Sequence, residues 1–318
     1  MRPTLKDVAE KAGVNFTLVS KYINGNPQAR MTPETRERID SAIRELNYRP
    51  SASARALRIG RNRTIGMVSG DLTNAYCAHF ADLTLRVLKE REYQLLLALD
   101  SSGGKGEALQ SLLAREVDGI IFPGEDAGKL PCPAVAADCH SKFFPTVNPD
   151  IAEPLRQALT GISGRVSGIF FSHSLWQEEF ERAARSCGVS NESVCLSWDR
   201  ALRLRELRKL CASHPDYLIS SGWETLTMLL ELLDAEFPDY APRILLHANC
   251  TGPFLNDRRM AGVIYSSTGQ LVREMCGMLI DRIEHPGPPP EERRLPTRYI
   301  PAGTPDYEKL VSRKFQLT

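Results

Sequence analysis

No apolar run in this 318-residue sequence approaches the roughly 18 residues that a membrane-spanning helix needs, so no span is expected. The opening residues, MRPTLKDVAE, lack the apolar stretch of a secretory leader, and the expected location is the cytoplasm. Eight cysteines are present, but no two are spaced as CxxC and none has a histidine at zinc-ligand spacing. They read as reduced, buried thiols rather than disulfides or a metal site. A Gly-rich phosphate loop, a nucleophile elbow and an HExxH pattern are missing as well. In FSHSLW serine and histidine are neighbours, yet adjacent side chains rarely aim at each other and no orienting acid accompanies them. Neither an enzyme nor a cofactor is expected. Aromatic residues make up only 7% of the chain, and just three are tryptophan.

What the sequence does hold is an uneven charge. The net charge of +1 conceals 13 Lys+Arg against 6 Asp+Glu in residues 1–63, and 27 against 33 in the remainder, balances of +7 and −6. A basic head on a mildly acidic body points to a polyanionic partner for the head alone. At 42% hydrophobic residues the chain can bury a large core and carry a smaller module besides.

The head supplies a specific pattern. In TLKDVAEKAGVNFTLVSKYING, Leu5, Val8, Ala9 and Ala12 share one helical face behind a Thr4 cap, and Gly13 ends the helix. Asn15 can cap a second helix with Leu18, Val19, Tyr22 and Ile23 inward and Phe16, Thr17, Ser20, Lys21 and Asn24 outward. Two short helices about a glycine turn form a helix-turn-helix, whose second helix offers hydrogen-bonding side chains to a major groove. A third helix, from Thr32 and Pro33 through Ile39, Ala42, Ile43 and Leu46, closes a minimal core before NYRP.

The segments TLKDVAEKAGV, VSKYING, TPETRERI, LNYRP, ARALRIGRNRTIG and VDGIIFPG, in that order, resemble the lactose/galactose repressor (LacI/GalR) family of bacterial transcription regulators. Similarity is dense over residues 3–125 and thin afterwards. The resemblance implies double-stranded operator DNA as partner, with Phe16, Thr17 and Lys21 at base-reading positions and Asn15, Ser20 and Asn24 at phosphates. Lys21 replaces the family's usual Arg, trading a bidentate fork for a point charge. Leu18 stands where a Thr is common, and the loop NGNPQARMT is longer than usual. SASARAL is too short to be helical alone in water. Family members order a hinge helix here when two copies pair on DNA, and Leu57, flanked by Arg55 and Arg58, holds the position of the minor-groove wedge. A homodimer on a palindrome is implied.

After residue 64, apolar runs such as TIGMVSG, YQLLLAL, VDGIIFP, SGIFFS, DYLISS and RILLHAN alternate with helical segments, which indicates α/β architecture with parallel sheets covered on both faces. The resemblance sharpens this to a two-lobed, periplasmic-binding-protein-like core of doubly wound parallel sheets. The expected domains are 1–50 (helix-turn-helix), 51–63 (hinge) and 64–318 (effector and dimerisation core). Within the core, lobe one takes 64–164 plus 268–285, lobe two 165–267 plus 293–318, and HPGPPPEERR is a polar connection. Ligands of open α/β sheets lie beyond the carboxyl ends of the strands. The expected effector residues are Asp71, Asn74, Tyr76, Asp138, Trp176, Trp198, Trp223 and Asn249, with Ser101, His140, Ser172 and Phe254 also at the mouth.

The effector is expected to be a small molecule, most simply a carbohydrate or derivative. Compared with the family's sugar-binding members, Trp176 stands for a usual Arg, Gly222 and Trp223 for an Asn-Asp pair, and Asn249 and Cys250 for an Asp pair. Two alternatives therefore stay open: a purine or nucleoside effector stacked on tryptophan, and a cleft that has ceased to bind, its tryptophans merely packed. A solute-binding protein of a transport system would fit the body alone; the basic head and the free thiols argue against it.

Overall fold

The computed structural model describes the chain apart from residues 1–2, 50–59, 70–71, 73–74, 100–105, 124–126, 172–174, 198, 249, 252, 286, 288–289, 313–315 and 318. It divides into two compact units, residues 1–63 and 64–318.

In the first unit, caps and apolar stripes set three helices. α1 (Leu5–Ala12) begins at Thr4, whose hydroxyl accepts the Asp7 N–H while the Asp7 carboxylate accepts the Thr4 N–H at 2.6 Å, a closed capping box. It stops at Gly13, where φ is 61°, a left-handed turn that glycine enters without strain. α2 (Phe16–Ile23) is capped by Asn15, whose Oδ1 accepts the Thr17 N–H at 2.7 Å. α3 (Pro33–Glu45) starts from Thr32 with proline in its first turn. The three apolar faces meet in a core of Val8, Ala9, Ala12, Val19, Ile39 and Ala42. Tyr22 donates to Asp40 at 2.9 Å, joining α2 to α3, and Lys11 pairs with Glu45 at 2.7 Å, joining α1 to α3. Leu18, expected inward, is only half-buried and is not among the residues packed on this core; at about 100° per residue it lies at the margin of the face centred on Val19.

The second unit runs β1 (Thr64–Ser69), α4 (Ala75–Glu90), β2 (Gln94–Leu99), α5 (Gly106–Leu113), β3 (Gly119–Pro123), β4 (Ala134–Ala137), β5 (Thr146–Asp150) and α6 (Ala152–Leu159). It continues through β6 (Arg165–Phe171), α7 (Leu175–Ser186), β7 (Ser190–Leu196), α8 (Arg200–Ala212), β8 (Tyr217–Ser221), α9 (Trp223–Glu236), β9 (Arg243–Ala248) and β10 (Cys250–Thr251). A 3-10 turn (Pro253–Asn256) then leads to β11 (Met260–Tyr265), α10 (Thr268–Glu284), β12 (Glu292–Pro296), β13 (Arg298–Pro301), α11 (Pro305–Ser312) and β14 (Gln316–Leu317).

Two six-stranded sheets result, in the orders β12-β5-β4-β3-β1-β2 and β13-β11-β9-β8-β6-β7; every pairing is parallel except β13 with β11. A third, two-stranded sheet pairs β10 with β14. Helices cover both faces. In the first sheet, α4 and α10 bury Phe80, Leu88, Met275 and Leu279 on one side, and α5 buries Leu112 on the other. In the second, α8, α9 and α11 bury Leu207, Leu229 and Leu310, and α6 and α7 bury Leu155 and Phe180 on the opposite side. Close packing is visible at Gly168, where a Cβ would fall 2.4 Å from the Phe170 ring and 2.7 Å from that of Phe180.

The lobe boundaries differ from those expected. Residues 151–159 pack with the second sheet, because Ile151, Leu155 and Leu159 insert beside Val166 and Phe180, so the first lobe ends near Asp150 rather than 164. Residues 293–296 belong to the first sheet, because β12 pairs in register with β5, from Glu292 opposite Thr146 to Pro296 opposite Asp150. The polar connection therefore ends before Glu292. The chain passes between sheets three times: after β5, after β11 and between β12 and β13. Of the seven cysteines whose burial is described, only Cys211 and Cys276 are fully buried; the rest are half-buried, with Cys132 and Cys139 packed on the core that holds Leu112 and Phe144. Burial pushes both the Cys211 and Cys276 thiols up to about 12, so neither is reactive.

Candidate nucleic-acid interface and ligand cleft

The outward side of α2 is formed as its sequence requires. Phe16, 47% exposed, and Thr17 stand clear of the core, and Lys21, one turn on from Thr17, shares their side. Among the described residues Lys21 has no carboxylate partner within ion-pair distance, whereas Lys11 on the core side is paired. Asn15 spends its carbonyl oxygen on the helix cap, which aims the rest of its amide outward at the start of α2. Asn24 folds its amide onto the Ser20 carbonyl at the other end. The capped start of α2, a short polar row and a lysine with no ion-pair partner among the described residues make a surface that can meet phosphates at its ends and base edges between them. Arg55, Leu57 and Arg58 lie outside the described residues.

In the second unit, side chains from both sheets converge beyond the strand ends. Tyr76 lies in the first turn of α4, Asp138 just after β4, Trp176 in the first turn of α7, and His247 near the end of β9. The Trp176 indole N–H donates to the Asp138 carboxylate, so the carboxyl ends of the two sheets face each other. The Trp176 ring stacks on His247 with centroids 3.2 Å apart and 24° between planes. Tyr76 is close enough for the Asp138 charge to act on its hydroxyl. Asp138 holds φ at 53°, a left-handed conformation that Asp tolerates better than most residues. Its loop is braced by Asn148, which accepts the Cys139 N–H at 3.2 Å, donates to the Cys139 carbonyl at 2.9 Å and reaches Glu292 at 3.1 Å.

Enclosure governs the protonation of this cluster. Burial pushes the Asp138 carboxyl up to about 6, with the bond from Trp176 pulling the other way. Burial alone pushes the His247 imidazole down to about 3, so it is neutral at physiological pH. Tyr76 is raised well above its usual value, by burial first and then by the charges of Asp138 and Cys77. Each of these three is surrounded by protein yet keeps part of its surface open, as groups lining a cleft do.

Of the expected ligand residues, Tyr76, Asp138 and Trp176 thus come together. Trp223 instead stacks on Phe254, centroids 6.5 Å apart, and packs with the core on the other face of the second sheet from Trp176. Asp71, Asn74, Ser101, Ser172, Trp198 and Asn249 lie outside the described residues. His140 turns to Glu292, 3.7 Å away. His247 was not anticipated; the available signal was a lone histidine at the carboxyl end of the apolar run RILLHAN. A separate open groove of about 470 Å³ lies at the amino-terminal end of the second sheet, beside His214, Asp216, Tyr240 and Arg243. Two of its polar groups are engaged: Tyr240 donates to the Pro215 carbonyl and Asp216 accepts the Arg165 N–H. It is remote from the strand ends where α/β ligands bind. Among the described residues no cluster of three or more His, Cys, Asp or Glu could hold a metal ion, and no helix is long and apolar enough to cross a membrane.

Comparison with known proteins fits both units. The model of the family described as "Bacterial regulatory proteins, lacI family" matches residues 4–51. Catabolite control protein A of Priestia megaterium is 30% identical over 247 residues, covering 73% of this chain and 71% of that protein. The sucrose operon repressor of Klebsiella pneumoniae is 38% identical over 123 residues, but the match spans only 38% of this chain and 37% of the repressor. The lac repressor dimer, solved with operator and the anti-inducer ONPF, shares the fold with a TM-score of 0.76 at 15% identity, covering 94% of this chain and 98% of that one. The helix-turn-helix head, the two parallel sheets with their facing strand ends, and a relative 30% identical over nearly three quarters of the chain lead to one assignment: the chain belongs to the lacI family of bacterial regulatory proteins.

Proposed function

We propose that this regulator binds a palindromic operator as a homodimer and represses transcription, with a small carbohydrate or derivative in the cleft adjusting its affinity. It acts by binding, not by catalysis. The observation that carries the reading is the outward side of α2, with Phe16, Thr17 and Lys21, which has no ion-pair partner among the described residues, held on a capped three-helix core in the basic part of the chain. Thr17 and Lys21 read bases; Asn15, Ser20 and Asn24 fix register on phosphates; Leu57, between Arg55 and Arg58, wedges the minor groove. For the dimer, β2 is an edge strand with Leu95, Leu96 and Leu97 only half-buried, and Leu85 and Leu99 are about half exposed at 47% and 51%. Apolar surface next to an open edge favours a second copy.

For the effector, Ser69 and Ser220 near the carboxyl ends of β1 and β8 each bury a hydroxyl with no hydrogen-bond partner among the described residues. Such orphans cost about 1–3 kcal/mol each; both are closed to solvent here, so a polyhydroxylated molecule would satisfy them as the cleft rearranges around it. The sucrose repressor's name supports the same chemical class. Asp71, Asn74, Trp198 and Asn249 complete the set in this reading.

Selection of bound duplexes from a random library, repeated with Thr17→Ala and Lys21→Ala, tests the proposal. The expected consensus is two inverted half-sites within about one helical turn of each other. Each variant should shift the preferred base at one symmetric position, since a good base-edge contact gives about 1–3 kcal/mol of discrimination. A direct-repeat or single half-site, or the parental consensus in both variants, would show that α2 is not the reading helix.

A further inference from the structure

The cleft is bridged by the protein's own side chains. A ligand closes a two-lobed body by touching groups from both lobes at once, and here one helix already does so. Trp176 and Glu179 lie three residues apart and so share a side of α7 in the second lobe. Trp176, 5% exposed, donates its indole N–H to Asp138 of the first lobe while its ring rests on His247 of the second. Glu179, 3% exposed, accepts from Arg182 at 2.7 Å and reaches Arg294 of β12, in the first sheet, at 3.9 Å. Arg294 is in turn held at 3.0 Å by Glu292, whose carboxylate also receives the Asn148 amide that braces the Asp138 loop. Both ends of the link on the first lobe are therefore anchored to the same pair of strands, β5 and β12. Three chain crossings alone would leave the lobes free to rotate; these two ties, at the mouth and behind it, oppose that rotation.

We infer that Trp176 is an internal latch: its ring fills the ligand position between Asp138 and His247 and holds the lobes closed in the absence of any small molecule. The indole supplies what a bridging ligand would supply, a flat apolar face for the imidazole and a hydrogen-bond donor for the carboxylate. An effector must displace it, so apparent affinity is lowered by the fraction of molecules in which the latch is open. The inference rests on the reading of the cleft as the regulatory site only for its consequence at DNA; closure itself is a separate quantity.

The experiment uses the full chain, free of added ligand, in small-angle X-ray scattering, with circular dichroism confirming the fold. Asp138→Ala leaves the ring on His247 but removes its acceptor, and should shift the closed-to-open ratio about tenfold, which is about 1.4 kcal/mol, toward open. Trp176→Phe should behave alike, keeping the stack and losing the donor. Trp176→Ala should open the body, seen as a larger radius of gyration, and millimolar indole should close it again by refilling the vacated space. Identical scattering for the parent and all three folded variants, or an open parent, overturns the latch. An opened Trp176→Ala body that indole cannot close also overturns it, since the ring would then be acting only through packing. Operator titration of the same variants reads the regulatory consequence. Opening without any change in operator affinity supports the latch and counts against the cleft as the regulatory site.

Discussion

At the scale of single residues, the two titrating groups in the cleft pull stability in opposite directions. The folded-state value of Asp138, about 6, lies above its ordinary 3.8. The folded state therefore binds that proton more tightly, and this contribution to stability is present at low pH and lost as pH rises through about 4 to 6. The folded-state value of His247, about 3, lies below its ordinary 6.5. Its contribution is full above 6.5 and lost as pH falls toward 3. Between pH 4 and 6 the two slopes partly cancel. His247→Gln should therefore stabilise the protein relative to the parent increasingly as pH falls below 6.5, by on the order of 2 kcal/mol at pH 4.5 after allowing for solvent reaching the ring. Asp138→Asn should stabilise it above pH 6 and lose that advantage toward pH 4. Calorimetric melting of the three proteins across this range checks both signs, and parallel pH profiles would mean the cleft is wetter than its enclosure implies.

At the scale of elements, the first unit is small enough that its caps matter. Thr4 closes a reciprocal box and Asn15 caps α2 through one oxygen. Thr4→Ala should lower the stability of the head by about 1 kcal/mol and leave base preference unchanged. Asn15→Ala should lose a similar amount and, with Asn15 in its proposed phosphate-contacting role, weaken DNA binding on all sequences alike, because cap and contact go together. Thermal melts paired with binding on two unrelated duplexes distinguish the two substitutions. All three caps were legible in the sequence because each is local, an acceptor side chain next to an apolar stripe. The strands β5 and β12 were not. TVNPD contains proline and three polar residues, and its Asn148 is buried only because Cys139 and Glu292 satisfy its amide. ERRLP is an edge strand bearing three charges, a pattern that marks exposed edges and reads as loop in one dimension.

At the scale of the whole molecule, the proposed dimer makes DNA binding depend on residues that never touch a base. Leu57→Ala should leave the head folded, since the head core is built from Val8, Val19, Ile39 and their neighbours. It should nevertheless reduce operator bending and affinity, because an apolar wedge repays the unstacking of a base step with extra contact along the bent duplex. Circular-permutation mobility of parent and variant complexes measures the bend; equal angles would make residues 51–63 a plain tether. Arg58→Ala should weaken binding to all duplexes and lower the salt slope by roughly one unit.

Local order was the sequence's own contribution. Helix caps, the glycine turn, the exposed and buried sides of α2, and the alternation of apolar strands with helices each depend on residues a few positions apart, so spacing alone determined them. Tertiary structure decided which lobe each segment joined. Ile151, Leu155 and Leu159 form an apolar face that could cover either sheet, and the charges of β12 find their place only against β5. It also decided what the tryptophans do. Trp176 and Trp223 look equivalent as aromatic residues just after apolar strands, yet one reaches across to Asp138 and the other turns onto Phe254. The partners of a side chain at a strand end come from distant strands and from the opposite lobe, and only the closed fold brings them within hydrogen-bonding and stacking range.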